Sequence, residues 1–149
     1  MLTVRAADSG DCCALAELDA AGNSSPWTAQ QFADSLRHGA NRVLVAEQTA
    51  GELAGFIVWQ TVCDEAELHL LATAPAWRRR GVASLLLAQL FAQAGQQGVR
   101  RIFLEVRHSN QAAQALYRRH GFLECGQRPH YYPLPDGSRE AAILMEKLC

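Results

Sequence analysis

Apolar and polar residues alternate along this chain in two different rhythms. Leu2–Arg5 has the period-two pattern of a short strand. Asp8 is placed to cap a helix running to about Ala20, with Leu15 and Leu18 on its buried face. Thr28-Ala29-Gln30-Gln31 has the form of a capping box, so a second helix opens there and stops at Gly39. Arg42–Glu47 and Leu53–Gln60 are expected as a hairpin turning at Ala50-Gly51, and Ala66–Thr73 as a third consecutive strand ended by Pro75. A long helix follows from Val82 to Gln97, with Leu85, Leu86, Leu90 and Phe91 at helical spacing and Gly98 at its end. Arg101–Val106 is a strand. Ser109 or Asn110 then caps a helix that reaches Arg119 and ends at Gly121. Phe122–Gln127 and Ala142–Lys147 are the last strands, with a turn at Asp136-Gly137.

The predicted order is β-α-α-β-β-β-α-β-α-β-β. Three consecutive strands in the middle break the strict alternation of a doubly wound dinucleotide fold. The expected class is α/β, with a mixed, mostly antiparallel central sheet and helices on both faces. A chain of 149 residues fits one domain, 1–149, without a linker or repeat.

Composition narrows the function. Nearly half the residues are apolar and 19% are charged, as in a soluble globular protein. No apolar run is long enough to span a bilayer, and the N-terminus lacks the regions of a signal peptide, so the expectation is a cytoplasmic protein without a membrane partner. Five cysteines at no metal-ligand spacing are expected as buried free thiols, and no metal is expected. Net charge is −1, but residues 1–74 carry −7 and residues 75–149 carry +6. The basic residues are arginine except Lys147, which suits the second half to a phosphate ligand and the first to a cationic one. The alternative is that the two halves neutralise each other.

The segment Leu71-Ala72-Thr73-Ala74-Pro75-Ala76-Trp77-Arg78-Arg79-Arg80-Gly81-Val82-Ala83-Ser84 ends a strand, passes through a basic turn and opens a helix. The first amides of a helix lack intrahelical partners and, with the helix dipole, attract anions. No Gly-Lys-Ser/Thr follows, so this is not a Walker loop. Further on come Leu104-Glu105-Val106-Arg107, Ser109-Asn110, Ala115-Leu116-Tyr117 and Gly121-Phe122.

Arg78-x-x-Gly81-x-Ala83, followed by this second set in order, resembles the GNAT superfamily of acetyl-CoA-dependent N-acetyltransferases. The resemblance implies acetyl-CoA as co-substrate. Its pyrophosphate would rest on the turn formed by Arg78, Arg79, Arg80, Gly81, Val82, Ala83 and Ser84. Its pantetheine arm would lie along the main chain of Leu71, Ala72 and Thr73, and Asn110 would also contact it. It further implies Glu105 as general base and Tyr117 as general acid in a direct transfer, with Glu67, His69 and His108 as competing bases. Ala83 stands where the signature more often has glycine, and Thr73-Ala74-Pro75 replaces the usual Val-Asp-Pro.

Ser25-Pro26-Trp27, Asp64-Glu65-Ala66, Tyr131-Tyr132-Pro133 and Asp136-Gly137 resemble the branch of the superfamily that acetylates the N-terminal alanine of small-subunit ribosomal protein eighteen. The implied partner is the N-terminal peptide of a ribosomal protein, with the Tyr-Tyr-Pro element lining its site. A monomer or weak homodimer is expected, without direct nucleic-acid contact, since aromatics do not interleave the arginines. The alternatives are a member acting on a small amine, an antibiotic or protein lysine, and a non-catalytic coenzyme A-binding factor.

Overall fold

The computed structural model describes all 149 residues. Its strands are β1 (Leu2–Ala6), β2 (Asn41–Gln48), β3 (Leu53–Val62), β4 (Glu65–Thr73), β5 (Arg101–Arg107), β6 (Leu123–Pro133) and β7 (Arg139–Leu148). Its helices are α1 (Cys12–Ala20), α2 (Ala29–Arg37), α3 (Val82–Gln96) and α4 (Gln111–Arg119). All strands join one sheet in the order β1-β2-β3-β4-β5-β7-β6. Only β4 and β5 run parallel, because α3 crosses over between them.

The sheet is covered on both faces. On one, Leu86, Leu87 and Leu90 of α3 and Tyr117 of α4 pack with Leu44, Ile57, Trp59, Leu104 and Met145. On the other, Leu15 of α1 and Phe32 of α2 pack with Val43, Val45, Phe56 and Val58. Alternate residues of β2 and β3 serve opposite cores, as a period-two pattern requires when both faces are buried.

The caps hold where they were expected, with adjustments. Thr28 and Gln31 make the reciprocal capping box, and Asn110, not Ser109, caps α4 by accepting from the Ala113 amide at 3.1 Å. Asp8 caps a short 3₁₀ turn, Ser9–Asp11, that leads into α1. Helix α2 stops at Arg37, short of Gly39. Strand β6 runs on to Pro133, where a shorter strand was expected, because β7 pairs with it again at Tyr132 and Pro133 past a break.

Three expectations are corrected. Leu85 is 36% exposed, and Val82, Leu86, Leu87, Leu90 and Ala94 form the buried stripe of α3 instead. Of the cysteines only Cys12 is buried; Cys13, Cys63, Cys125 and Cys149 lie on outward faces, turns or the terminus. The charged halves do not neutralise each other, since a single ion pair, Arg101 to Glu65 at 3.2 Å, joins them.

Candidate active site

Strands β4 and β5 pair only from Glu65 opposite Arg101 to Leu68 opposite Leu104. Beyond that point β4 stays on β3 as far as Thr73, and β5 stays on β7 as far as Arg107, so the sheet splits. The split begins beside a β-bulge. Val58 faces Leu70 and Trp59 faces Leu68, which leaves His69 as the extra residue. The bulge also exchanges faces: Leu68 packs toward α3, while Leu70 and Ala72 pack toward α1 and α2. Past the split, the main chain of Leu71, Ala72 and Thr73 is unpaired on its β5 side.

One side of the opening is the basic turn. Arg79 and Gly81 both have left-handed backbones, with φ of +63° and +79°. Gly81 is the N-cap of α3 and offers no capping side chain. The six consecutive amides from Arg79 to Ser84 have no acceptor within the protein. Arg78, Arg79 and Arg80 are exposed around them, form no ion pair with a carboxylate, and Arg80 stacks on Trp77 at 5.0 Å. Ser84 offers its amide only, because its hydroxyl is bonded to the His120 imidazole at 2.9 Å. Burial, then the charges of Arg119 and Lys147, push the His120 pKa down. Free amides, a helix N-terminus and unpaired guanidiniums together suit a diphosphate. Asn110 spends its carbonyl oxygen on its helix and keeps its side-chain amide for another partner.

The other side is a groove of roughly 190 Å³ lined by Glu67, Phe103, Glu105, Cys125 and Arg128, among others. Ile102, Leu104 and Val106 of β5 face the α3 core, so Glu105 points the opposite way. Its carboxylate forms an ion pair with the Arg128 guanidinium, Nε to Oε1, at 3.1 Å. Arg128 lies over the Tyr131 ring at 5.4 Å. It is held there by a break in β6, where the ladder passes from Arg128 opposite Ala142 to Tyr132 opposite Glu140. His130, inside the break, is left-handed at φ +54°.

Tyr117 comes from α4 on the other face of the sheet. It is only 8% exposed and packs edge-on to Phe122, with centroids 5.7 Å apart. Burial, then the neighbouring Tyr132, pushes its pKa up to about 12, so its hydroxyl keeps its proton at neutral pH. The Tyr132 pKa is itself raised, by burial first and then by Glu105. Tyr132 is thus electrostatically linked to both candidate catalytic groups. Arg107 stacks on it at 4.4 Å and donates to Glu140 at 3.1 Å.

The fold brings Glu105, Glu67 and the Tyr131-Tyr132 pair together, with the amide turn at the same split. His108 is exposed at the strand end and does not line the groove. Arg128 was not singled out from the sequence, because only the β5-β7-β6 pairing shows that it reaches Glu105. The Glu67–His69 bond was also unforeseen as a pair, although an i, i+2 spacing on a strand could have signalled it. A larger hollow of roughly 310 Å³ lies elsewhere, between Arg42, Thr61, Cys63 and Gln97, and holds none of these groups.

The chain is 37% identical over 131 residues to a ribosomal protein bS18-alanine N-acetyltransferase of Haemophilus ducreyi, which covers 88% of this chain and 89% of that one. It is 37% identical over 146 residues to the protein of the same name in Escherichia coli K12, covering 97% and 96%. The crystal structure of the ribosomal-protein-S18-alanine N-acetyltransferase from Escherichia coli superposes with a TM-score of 0.91 at 35% identity, over 99% of this chain and 94% of that one. The family model described as acetyltransferase (GNAT) family matches residues 12–122. With its split mixed sheet and its amide turn, the chain belongs to the GNAT family of acetyltransferases.

Proposed function

We propose that this enzyme moves an acetyl group from acetyl-CoA to the N-terminal α-amine of a ribosomal protein, the alanine of a bS18-type chain. The observation that carries the reading is that one split in the sheet has free amides on one side and a carboxylate groove on the other. Relatives that match nearly the whole chain carry that activity in their names.

The amides of Arg79 to Ser84 would hold the diphosphate, with Arg78, Arg79 and Arg80 adding charge. The free edge of Leu71 to Thr73 would bond the pantetheine arm, and the Asn110 amide would add a contact. Acetyl-CoA supplies a thioester-activated acetyl group when bound. An α-amine, with an ordinary pKa of about 8, is largely protonated at neutral pH and must lose that proton before it attacks. Glu105 takes the proton, directly or through water. Arg128 leaves the carboxylate as the substrate ammonium arrives. Tyr117, whose proton is held until needed, gives it to the departing sulfur. The chain acts in the cytoplasm as one domain, 1–149, without metal.

Mass spectrometry after incubation with acetyl-CoA and a peptide bearing the bS18 N-terminus tests this. One acetyl group on the terminal alanine is expected. Acetylation of lysine or small amines with none on that alanine would reject it.

A further inference from the structure

The groove has an ion balance that the transfer reaction leaves unused. Its two guanidiniums are matched: Arg128 pairs with Glu105, and Arg101 pairs with Glu65 and Glu146 while stacking on Phe103 at 4.6 Å. Of its two carboxylates, only Glu105 has a permanent cation beside it. Glu67 has His69 instead, Nε2 to Oε1 at 2.9 Å, an imidazole that is charged only when protonated. The second oxygen of Glu67 has no partner within the protein.

Glu67 is also held in place. The His69 bulge fixes the imidazole on the same face, and Trp27 lies beside it with ring centroids 6.5 Å apart. Trp27 is anchored in turn. Its amide donates to Asp19 at 2.9 Å, and Asp19, only 2% exposed, also accepts from the Asn23 side chain. A carboxylate fixed at one oxygen and open at the other, in a groove otherwise charge-matched, is a site for a cation.

Its place relative to Glu105 says which cation. Glu67 lies opposite Phe103 in the β4–β5 ladder, and Glu105 is two residues further along β5 on the same face. Two residues of strand and one strand spacing put the two backbones on the order of 8 Å apart. With the reacting amine at Glu105, the side chain of the next residue covers that separation if it is a lysine or arginine.

We infer that Glu67, positioned by His69, is a specificity-determining residue that selects acceptors with a cationic side chain directly after the acetylated residue. The inference rests on the reading of Glu105 as the group that meets the amine. An exposed-to-half-buried ion pair of this kind contributes modestly, so a preference of about threefold is expected for Ala-Arg over Ala-Gln acceptors, read as kcat/KM and carried mainly by KM.

The test measures kcat/KM of the wild type, Glu67→Gln and Glu67→Arg on three peptides differing only in the second residue: Ala-Arg, Ala-Gln and Ala-Glu. The wild type should rank Arg above Gln above Glu. Glu67→Gln should flatten the ranking, and Glu67→Arg should invert it to favour Ala-Glu, which a loss of folding cannot do. A wild type that treats all three alike, or a ranking that survives both substitutions, overturns the inference and leaves the proposed function standing. If no Ala-initiated peptide is acetylated by the wild type, the proposed function fails and takes the inference with it.

Discussion

The proposed diphosphate turn is built from one unbroken stretch, Leu71 to Ser84, and offers mainly unpaired backbone amides. The proposed acceptor groove takes Glu67 from β4, Glu105 from β5 and Arg128 from β6, and offers side-chain charge. On the proposed reading the turn is therefore a distributed site, in which six amides and three guanidiniums would share one anion. The groove is a concentrated one, in which single carboxylates meet single cations. Loss of one group should be damaging in the groove and tolerable in the turn.

The largest effect tests the concentrated side. Glu105→Gln keeps the shape of the groove and removes the proton acceptor. A positioned general base contributes roughly 10² to 10⁴ in rate, so turnover should fall by about 10³ with little change in the KM for acetyl-CoA. Steady-state kinetics with an Ala-initiated peptide decides it. Turnover within a few fold of wild type would remove this carboxylate from the chemistry and break the contrast.

The same contrast explains what could be read from the sequence. The turn was legible because its parts are adjacent: a strand end, Arg78-Arg79-Arg80, Gly81 and the first turn of α3. The capping residues Thr28 and Asn110 were legible for the same reason, since a cap bonds an amide three residues away. The groove was only half legible. Glu105 and Tyr117 stood out in their motifs, but Arg128 reaches Glu105 only because β7 inserts between β5 and β6. The bulge at His69 reverses the facing of β4, and no alternation in Glu65–Thr73 announces it. Leu85 was misplaced because three adjacent leucines fit a helical stripe in more than one phase, and only the packing of α3 on the sheet selects Leu86 and Leu87.

A second prediction concerns Tyr117, which is buried on α4. Its folded pKa is raised to about 12, by burial first and then Tyr132. In the unfolded chain a tyrosine titrates near 10. A raised pKa means that the native state holds the proton more tightly. The stabilisation is thus fully present below about pH 10 and is lost as pH rises through about 12, a change on the order of 3 kcal/mol. Tyr117→Phe lacks this ionisation. Urea unfolding of both proteins should show the phenylalanine variant gaining on the wild type between about pH 9 and about pH 12. A constant difference across that window would show that the hydroxyl is not desolvated.

The smallest effect tests the distributed side. Gly81 has φ +79°, and a Cβ there would meet nothing within 4 Å, so Gly81→Ala adds backbone strain without a clash. A left-handed backbone costs an L-residue roughly 1–2 kcal/mol, which bounds the loss of stability. Relaxing that strain would turn the amides that follow, and a diphosphate held by six of them would lose the alignment of only one or two. The KM for acetyl-CoA should rise by about tenfold at most, with kcat on saturating co-substrate nearly unchanged. Each of Arg79→Ala and Arg80→Ala should cost less still, because their neighbours remain to share the charge. A collapse of kcat from Gly81→Ala, comparable to that of Glu105→Gln, would mean that the turn places the reacting carbonyl as well as gripping the phosphates. The division between a tolerant anion site and an exacting groove would then be wrong.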